Sequence, residues 1–350
     1  MKSILLTGGA GFIGSHTCLA LLEKGYKVYV IDSFVNSSPK SLESVLKIYE
    51  KKYHNANSNL TICEGDLRDK NFVKKVFSNI YNVNKRIDGV IHFAGVKSVL
   101  ESQKNPLLYW NTNVLGTINL IEIMNSYNCF NFVFSSSATV YAQSNNSLLK
   151  EESEIGPINP YGNTKLTVEK LLEDIFKSQE NDCKFASLRY FNPIGAHLSG
   201  LLGENPVGIP NNIFPLIINT AAGIQKELKI YGNDWPTKDG TCVRDYIHVM
   251  DLAEAHIKVL DFLSEEGPTY FNLNVGTGIG TSVLELVKTF ERVNNLKIPY
   301  VFEGRRMGDA PYVVADNSLS KSKINIRTKR NIEDMCRDGW NWKTLNPNGF

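Results

Sequence analysis

Length, composition and charge place the chain among folded globular proteins. Its 350 residues exceed a typical domain of about 100 to 200 residues, which favours two lobes or one large α/β unit. Hydrophobic residues make up 42% of the chain and charged residues 21%, values that exclude disordered, collagen-like and coiled-coil proteins. The 38 Lys and Arg nearly balance the 36 Asp and Glu, so no excess of positive charge points to nucleic acid or to an anionic membrane.

Short apolar runs alternate with segments of helical spacing through the first 190 residues. The first apolar run is Ile4 to Leu6, and the first helical pattern covers Phe12 to Lys24. Further strands are predicted at 28–31, 60–63, 89–93, 130–135 and 185–190, with helices after Pro39, from Asp69, around 106–127 and near 161–177. This alternation predicts a Rossmann-like, doubly wound parallel sheet of the α/β class.

Proline and glycine cluster between residues 192 and 215, where the regular alternation ends. We place the domain boundary there, with a first domain at 1–190 and a smaller α/β domain at 191–350. Strands are predicted at 243–249, 271–274 and 299–302, and helices from Asp251 and after Thr281. Whether segments near 243–275 return to the first sheet stays open.

The cysteines and the apolar runs bear on the cellular location. The six cysteines are widely spaced and contain no Cys-x-x-Cys pair, which argues against a disulfide framework or a zinc knuckle. The apolar run at the N-terminus is too short for a signal sequence, and no later stretch reaches 18 apolar residues. We therefore expect a cytoplasmic protein that does not associate with membranes.

Three glycines, Gly8, Gly11 and Gly14, separate the first strand from the first helix. A pyrophosphate needs this arrangement, because the backbone must approach it closely and the helix N-terminus supplies free N–H donors. Asp32 stands 18 residues past Gly14, at the end of the second strand, where a carboxylate can bind the adenosine ribose. The pattern predicts a dinucleotide site that favours NAD over NADP, because the carboxylate repels a 2′-phosphate.

Further polar residues follow the third and fourth strands. Asp66 either binds the adenine amino group or caps the next helix, and the sequence leaves both interpretations open. The small-residue corner at 93–95 is expected to pack against the cofactor. Lys97, which follows it, either contacts a cofactor ribose or is solvated.

Tyr161 and Lys165 lie four residues apart in a predicted helix, so both side chains fall on one face. Oxidation of an alcohol by a nicotinamide needs a base for the hydroxyl proton. A tyrosine with an ordinary pKa of about 10 needs about 4 kcal/mol to be ionised at pH 7, and one cation at about 4 Å supplies roughly that much, so Lys165 and the positive nicotinamide together are sufficient. Ser137, at the end of the fifth strand, is the candidate for orienting the substrate oxygen; the alternative is that this serine only ends a strand.

Several segments, spread over essentially the whole chain, together resemble one family. They are Thr7 to Gly14, Asp32, 134–141, 161–165, 189–193, 208–212, 239–249 and 305–309. The first four resemble the extended short-chain dehydrogenase/reductase superfamily, and the last four narrow the resemblance to the UDP-glucose 4-epimerase family. Members of this family are commonly homodimers through helices that here would lie near 106–127 and 161–177.

The resemblance implies an enzyme that interconverts UDP-glucose and UDP-galactose with tightly held NAD. Tyr161 would take the proton of the hexose 4-hydroxyl, Ser137 would orient that oxygen, and NAD would accept the hydride from carbon 4. The 4-ketohexose, still tethered through its UDP, would turn and receive the hydride on its other face.

The resemblance also assigns residues to the two ligands. For the cofactor they are Gly8, Gly11, Phe12, Ile13, Gly14, Asp32, Asn36, Asp66, Leu67, Phe93, Ala94, Gly95, Lys97, Asn113, Ser135, Tyr161, Lys165 and Tyr190. For the UDP-hexose they are Ser137, Tyr161, Asn192, Asn212, Ile213, Tyr231, Arg244, Arg306, Asp309 and Val313. Two alternatives stay open: Asn113 as a packing group, and Arg306 as a surface ion pair with Asp309. His197 and His248 are interpreted as structural, and no metal is expected.

One position departs from the family pattern. Val313 stands where a bulky tyrosine is associated with exclusion of N-acetylated sugars, so we expect UDP-N-acetylhexoses to be accepted too, unless Tyr312 fills the space. Three other functions compete. A 4,6-dehydratase would need acids where Ala138 and Thr139 stand, a UDP-glucuronate enzyme would need a carboxylate site, and a non-catalytic NAD sensor would need no catalytic group.

Overall fold

A computed structural model describes residues 1–53, 59–143, 148–178, 182–208, 210–306 and 308–350. Ile209 and Met307, which belong to two of the segments above, lie outside the described residues. The chain divides into two compact units. The first unit contains 1–140, 157–189 and 253–273, and the second contains 141–156, 190–252 and 274–350.

A seven-stranded sheet forms the centre of the first unit, with strand order β10-β6-β5-β4-β1-β2-β3. The strands are β1 (Ser3–Thr7), β2 (Lys27–Asp32), β3 (Leu60–Glu64), β4 (Gly89–His92), β5 (Asn131–Ser137), β6 (Lys184–Tyr190) and β10 (Thr269–Val275). β1 pairs in parallel with β2 and β4, and the pairs β2–β3 and β4–β5 are parallel as well. The order reverses at β1, which makes the carboxyl ends of β1 and β4 the place where a doubly wound sheet binds its ligand. The predicted fold class is confirmed.

Helices flank this sheet and begin at identifiable caps. They are α1 (Phe12–Glu23), α2 (Pro39–Glu50), α3 (Lys70–Asn84), α4 (Val99–Lys104), α5 (Pro106–Tyr109), α6 (Gly116–Ser126), α7 (Pro160–Lys177) and α9 (Val249–Glu265). Ser38 caps α2 and Asn159 caps α7, each followed by a proline that is preorganised for the first helical turn. A π-helical turn, Trp110–Leu115, joins α5 to α6.

The second unit has its own strands, helices and core. Strands β11 (Gly280–Ser282), β9 (Val243–His248) and β13 (Tyr312–Val313) form one sheet, to which β7 (Asn192–Ile194) adds by pairing with β9. A second sheet pairs β8 (Leu228–Tyr231) with β12 (Tyr300–Glu303). The helices are α8 (Ile213–Ala221), α10 (Val283–Asn294), α11 (Ser318–Ile324) and α12 (Ile332–Leu345). Phe214, Phe290 and Ile217 are among the fully buried side chains of its core.

The predicted elements of the first 190 residues are all present, within a few residues at each end. The sequence analysis missed α4, α8, α11 and α12 and the short strands β7, β8, β11 and β13. Strands of two to four residues carry too few positions to show a period. Among the helices of the described ranges, none combines the length and the apolar character needed to cross a bilayer.

Candidate active site

The glycine loop between β1 and α1 is shaped by close backbone contacts. Gly8 has a φ of +69°, and a Cβ there would lie 2.5 Å from the amide nitrogen of Ala94. A Cβ on Gly14 would lie 2.3 Å from the carbonyl oxygen of Gly8. Both positions therefore need glycine for the loop to close, independently of any ligand.

Gly11 differs from these two, because a Cβ there would meet only the Gly8 carbonyl oxygen, at an ordinary 3.4 Å. Gly11 is the N-cap of α1 and makes no side-chain capping bond; the first bond of the helix runs from the Ser15 amide to the Gly11 carbonyl, at 2.9 Å. The amides of Phe12, Ile13 and Gly14 therefore have no acceptor within the helix. Free N–H groups beside an uncrowded glycine fit the pyrophosphate of NAD.

Asp32 is buried at the end of β2, and its carboxylate is held by three donors. Oδ2 accepts from the Ala10 amide at 2.9 Å, and Oδ1 accepts from the Phe34 amide at 3.0 Å and the Ser37 hydroxyl at 2.8 Å. A carboxylate has about four acceptor positions, so one position on Oδ2 stays available. That position can accept from a ribose hydroxyl.

Asp66 does not cap a helix. Asp69 is the N-cap of α3, because its side chain accepts from the Phe72 amide at 3.0 Å, so the capping interpretation of Asp66 was wrong. Asp66 instead accepts a forked hydrogen bond from Arg68, with Nη2 at 2.6 Å and Nε at 3.0 Å, and this guanidinium lowers the pKa of the Asp66 carboxyl. Leu67, beside it, is buried.

The loop that follows β4 is held in place by hydrogen bonds from a side chain of the π-helical turn. The Asn113 side chain accepts from the Val96 amide at 2.9 Å, and donates to the Val96 carbonyl at 3.0 Å and to the Thr164 hydroxyl at 3.1 Å. These bonds engage both ends of the amide, which favours the packing interpretation, and they join the corner to α7. Asn36 donates to the Gly95 carbonyl across 3.5 Å, and Lys97 is exposed.

Two other members of the predicted cofactor set lie at this corner. The amide of Phe93 donates to the Thr7 carbonyl at 2.9 Å, and that of Ala94 reaches the Thr7 hydroxyl at 3.5 Å. The corner is thereby bonded to the end of β1, where the glycine loop begins.

Lys165 and Tyr161 lie on the buried side of α7, next to the end of β5. The Lys165 ammonium donates to the Ser135 carbonyl at 2.6 Å and lies 5.8 Å from the centroid of the Tyr161 ring. Lys165 is 5% exposed, whereas Tyr161 is half-buried. The Ser137 hydroxyl accepts from the Thr139 amide at 3.2 Å and the Thr139 hydroxyl at 3.0 Å. The first unit therefore brings the three predicted catalytic residues together.

The pKa values of Tyr161 and Lys165 make ionisation of the tyrosine harder than the sequence suggested. Burial raises the pKa of Tyr161 to about 12, although its hydrogen bond with Ser137 acts in the opposite direction. Burial also lowers the pKa of Lys165 to about 8. Ionising Tyr161 at pH 7 thus requires a shift of about five units rather than three, or about 7 kcal/mol.

Two arginines of the second unit share one carboxylate. Arg306 binds Asp309 in a forked arrangement, with Nη2–Oδ1 at 2.9 Å and Nε–Oδ2 at 3.2 Å, so the predicted alternative of an ion pair is present. Arg244 Nη2 lies 3.7 Å from the same Oδ1, and its Nη1 donates to the Ala310 carbonyl at 2.8 Å. Two guanidiniums with one carboxylate carry a net positive charge, which suits a pyrophosphate.

The other predicted substrate residues are distributed over the second unit. Asn212 is the exposed N-cap of α8, makes no side-chain capping bond, and is followed by the half-buried Ile213. The Tyr231 ring is 38% exposed, and the Arg306 guanidinium lies 5.6 Å from its centroid. Asn192 is half-buried in β7. Tyr190, which belongs to the predicted cofactor set, is buried.

Tyr312 and Val313 occupy adjacent positions of β13, and successive residues of a strand point to opposite faces. The Tyr312 hydroxyl lies 3.1 Å from the Cβ position of Gly280, on the β11 side of the sheet. The ring therefore packs away from the face that carries Val313.

Sequence analysis missed a buried network behind the catalytic group. The Glu169 carboxylate accepts from the Ser136 hydroxyl at 2.5 Å and from the Arg189 Nη2 at 2.7 Å. The four-residue interval from Lys165 places Glu169 on the helix face that carries Tyr161, but it does not identify the strand partners of the Glu169 carboxylate.

The comparisons with known proteins cover the whole chain. The family model described as GDP-mannose 4,6 dehydratase matches residues 5–339. The chain is 49% identical to UDP-glucose 4-epimerase 2 of Arabidopsis thaliana, over 100% of this chain and 97% of that protein.

Two solved structures are similar throughout. One is the UDP-glucose 4-epimerase of Bifidobacterium longum in complex with NAD+ and UDP, with a TM-score of 0.91, 42% identity and 100% coverage of both chains. The other is that of Stenotrophomonas maltophila with bound NAD and formylated UDP-arabinopyranose, with a TM-score of 0.92 and 40% identity over 99% of this chain and 98% of that one. The chain belongs to the extended short-chain dehydrogenase/reductase family and, within it, to the UDP-glucose 4-epimerases.

Proposed function

We propose that the chain interconverts UDP-galactose and UDP-glucose through Tyr161, Lys165 and Ser137, with NAD held by the glycine loop. The observation that carries this proposal is the catalytic group itself. One helix and one strand end bring a tyrosine, a buried lysine and a serine together. Because Asn113 joins α7 to the corner after β4, this group is fixed relative to the cofactor residues.

The cofactor is held by the amides of Phe12, Ile13 and Gly14 at its pyrophosphate and by Asp32 at its adenosine ribose. The fit rests on the unbonded amides and on the uncrowded Gly11. When bound, NAD supplies a nicotinamide that takes a hydride from the sugar and returns it. Asp66 accepts from the backbone amide and the guanidinium of Arg68, and the one position that remains on its carboxylate can accept from an adenine amino group.

The chain's own residues handle the proton. Tyr161, once ionised, removes the proton from the hexose 4-hydroxyl, and Ser137 donates a hydrogen bond to that oxygen. Lys165 stabilises the tyrosinate by its charge. When the hydride returns to carbon 4, Tyr161 would return the proton to the oxygen. The reaction has no net redox change because the hydride that is taken from the sugar is given back to it.

Binding of the UDP part is assigned to Arg244 and Arg306, with Asp309 holding the two guanidiniums in place. Asn212 at the N-terminus of α8 and the half-exposed ring of Tyr231 complete this set. Because these groups bind the nucleotide rather than the hexose, the 4-keto sugar keeps the freedom to turn.

N-acetylated UDP-hexoses are proposed as further substrates. Val313 is small, and Tyr312 packs toward Gly280 on the other side of the strand, so neither side chain blocks a 2-acetamido group at position 313.

A 4,6-dehydratase reaction is the alternative that the family model's description favours. Dehydration needs acid and base groups at carbons 5 and 6, beside the catalytic serine. Ala138 and Thr139 form the turn that follows Ser137, and Thr139 uses its hydroxyl to bond Ser137. Neither residue carries a carboxyl group, so the epimerase assignment is preferred.

Two further proposals concern assembly and location. Leu107, Trp110 and Leu115 on the helical region from α5 to α6 are 76%, 38% and 44% exposed, and an apolar surface of this kind supports a homodimer through that region.

All six cysteines are free thiols, which supports a reducing compartment such as the cytoplasm.

The test is proton NMR of the anomeric region during incubation of the purified protein with UDP-galactose and no added NAD. Growth of a UDP-glucose signal to a stable mixture is expected. Tyr161→Phe should retain NAD and show no turnover. Absence of turnover by the parent protein, also after NAD is added, would refute the proposal.

A further inference from the structure

A buried ion pair lies directly behind the catalytic group. Glu169 in α7 and Arg189 in β6 are 2% and 3% exposed, and the guanidinium binds the carboxylate through Nη2 at 2.7 Å and Nε at 3.0 Å. A buried pair of this kind is weak evidence for a stabilising role, because desolvation of both charges offsets their attraction. Its position therefore needs another explanation.

The pair is bonded to the strand end that serves the catalytic group. The Ser136 hydroxyl donates to Glu169 Oε1 at 2.5 Å, and Ser136 is fully buried. Its two neighbours in β5 both serve the catalytic group. The Ser135 carbonyl accepts from Lys165, and Ser137 is the serine assigned to the substrate oxygen. Ser136 alternates with them and points to the opposite side of the strand.

Glu169 also continues the catalytic face of α7. Tyr161, Lys165 and Glu169 follow one another at intervals of four residues, so they lie on one face of a single helix. The backbone carbonyl of Glu169 accepts from the Tyr270 hydroxyl at 3.1 Å, which adds a contact to β10. One carboxylate thus joins the helix that carries the base to the strand that carries the serine.

We propose that Glu169, oriented by Arg189, is a positioning residue that fixes the Ser135–Ser137 strand end against the Tyr161–Lys165 helix through Ser136. The inference rests on the proposed function, because it takes Tyr161, Lys165 and Ser137 as the catalytic residues. Glu169 touches neither substrate nor cofactor in this role.

A second consequence follows from its charge. The groups that face Lys165 are the Ser135 carbonyl and the Phe134 ring from β5, Tyr161 and Glu169 from α7, and His92 from β4 as an electrostatic neighbour. Glu169 is the one anion of this set among the described residues, and its charge raises the pKa of Lys165 against the effect of burial. Glu169 therefore helps Lys165 to keep its proton.

Two variants separate positioning from charge. Ser136→Ala removes the hydroxyl bridge and leaves the ion pair intact; we expect kcat for UDP-galactose to fall about tenfold to a hundredfold, with KM within about twofold and NAD retained. Glu169→Gln keeps an acceptor for Ser136 but removes the charge. In the pH profile of kcat for Glu169→Gln, the alkaline limb, where Lys165 loses its proton, should move to lower pH by about one unit, because the anion that favours protonated Lys165 is gone.

Glu173→Gln is the matched control, since Glu173 lies one turn further along α7 and pairs with Lys177 at the surface, at 2.5 Å. It should leave kcat and the pH profile unchanged. The inference is overturned if Ser136→Ala lowers the melting temperature but leaves kcat within twofold of the parent, or if Glu169→Gln leaves the alkaline limb in place.

Should Glu169→Gln fail to accumulate as folded protein, Ser136→Ala decides the question alone. Tyr161→Phe is assayed in parallel. An active parent with an inactive Tyr161→Phe variant upholds the proposed function whatever the result at Ser136, so the two failures can be distinguished.

Discussion

Lys165→Met tests how Tyr161 becomes a base. The Lys165 ammonium lies 5.8 Å from the Tyr161 ring centroid. At that distance, with an effective dielectric constant of about 20, one positive charge stabilises a tyrosinate by about 3 kcal/mol, which corresponds to about two pKa units. Methionine fills a similar volume without the charge, so the pKa of Tyr161 should rise by about that amount.

The sign of the pH effect follows from the role of the base. Activity rises with pH as Tyr161 loses its proton, so a higher pKa moves the acid limb of kcat upward by about two pH units. At a pH below that limb, kcat falls about a hundredfold. The parent should also lose activity on the alkaline side, near the Lys165 pKa of about 8, and the variant should lack this alkaline limb.

The assay is kcat against pH for the NAD-loaded parent, for Lys165→Met and for Lys170→Met, with NAD content measured in each. Lys170 is exposed on the same helix and serves as the control. A shift of the acid limb by less than half a unit in Lys165→Met, with NAD retained, would refute the electrostatic account. So would an equal shift in Lys170→Met.

Five other substitutions, of which Arg305→Met is a control, test the remaining parts of the site. Gly11→Ala should weaken NAD binding about tenfold or more and leave the melting temperature unchanged. Gly14→Ala should weaken NAD binding and also lower the melting temperature, because its Cβ would lie 2.3 Å from a carbonyl oxygen. Titration calorimetry measures the binding, and thermal melts measure the stability of each variant. Val313→Tyr should abolish turnover of UDP-N-acetylgalactosamine and spare UDP-galactose, and unchanged selectivity would contradict the specificity proposal. Arg244→Met should raise KM for UDP-galactose about tenfold to a hundredfold. Arg305→Met, which removes an exposed ion pair, should change KM by less than twofold; equal effects would argue against a role for Arg244 in binding.

The sequence predicted the first sheet well because its strands are long, apolar and separated by capped helices. Each of β1, β2 and β4 is buried on both faces and therefore reads as an unbroken apolar run. The second unit was harder to predict. β13 has only two residues, and α8 follows a proline- and glycine-rich stretch that gives no periodic signal.

The site was predicted to different depths for physical reasons. Gly8 and Gly14 could be identified because a loop of this shape tolerates no side chain at either position. Glu169 and Ser136 were missed because their partner, Arg189, lies on a strand that the order β6-β5 brings next to them. Residues that meet because their strands are neighbours in a sheet are far apart in the sequence, so no short spacing pattern reveals the contact.

The ionisation of Tyr161 shows how far local spacing can mislead about energy. Four-residue spacing places a cation near the phenol and suggests that Lys165, together with the positive nicotinamide, is sufficient to ionise Tyr161. Burial instead raises the pKa of Tyr161 to about 12 in the protein that already contains Lys165. A single charge at 5.8 Å is worth only about two units, so Lys165 alone does not ionise the tyrosine at pH 7. The oxidised nicotinamide would supply a further positive charge when NAD is bound, and this would couple proton removal to hydride transfer. Protein stripped of NAD should therefore show no tyrosinate absorbance from Tyr161 at pH 8, whereas reloading with NAD should produce one that Tyr161→Phe lacks.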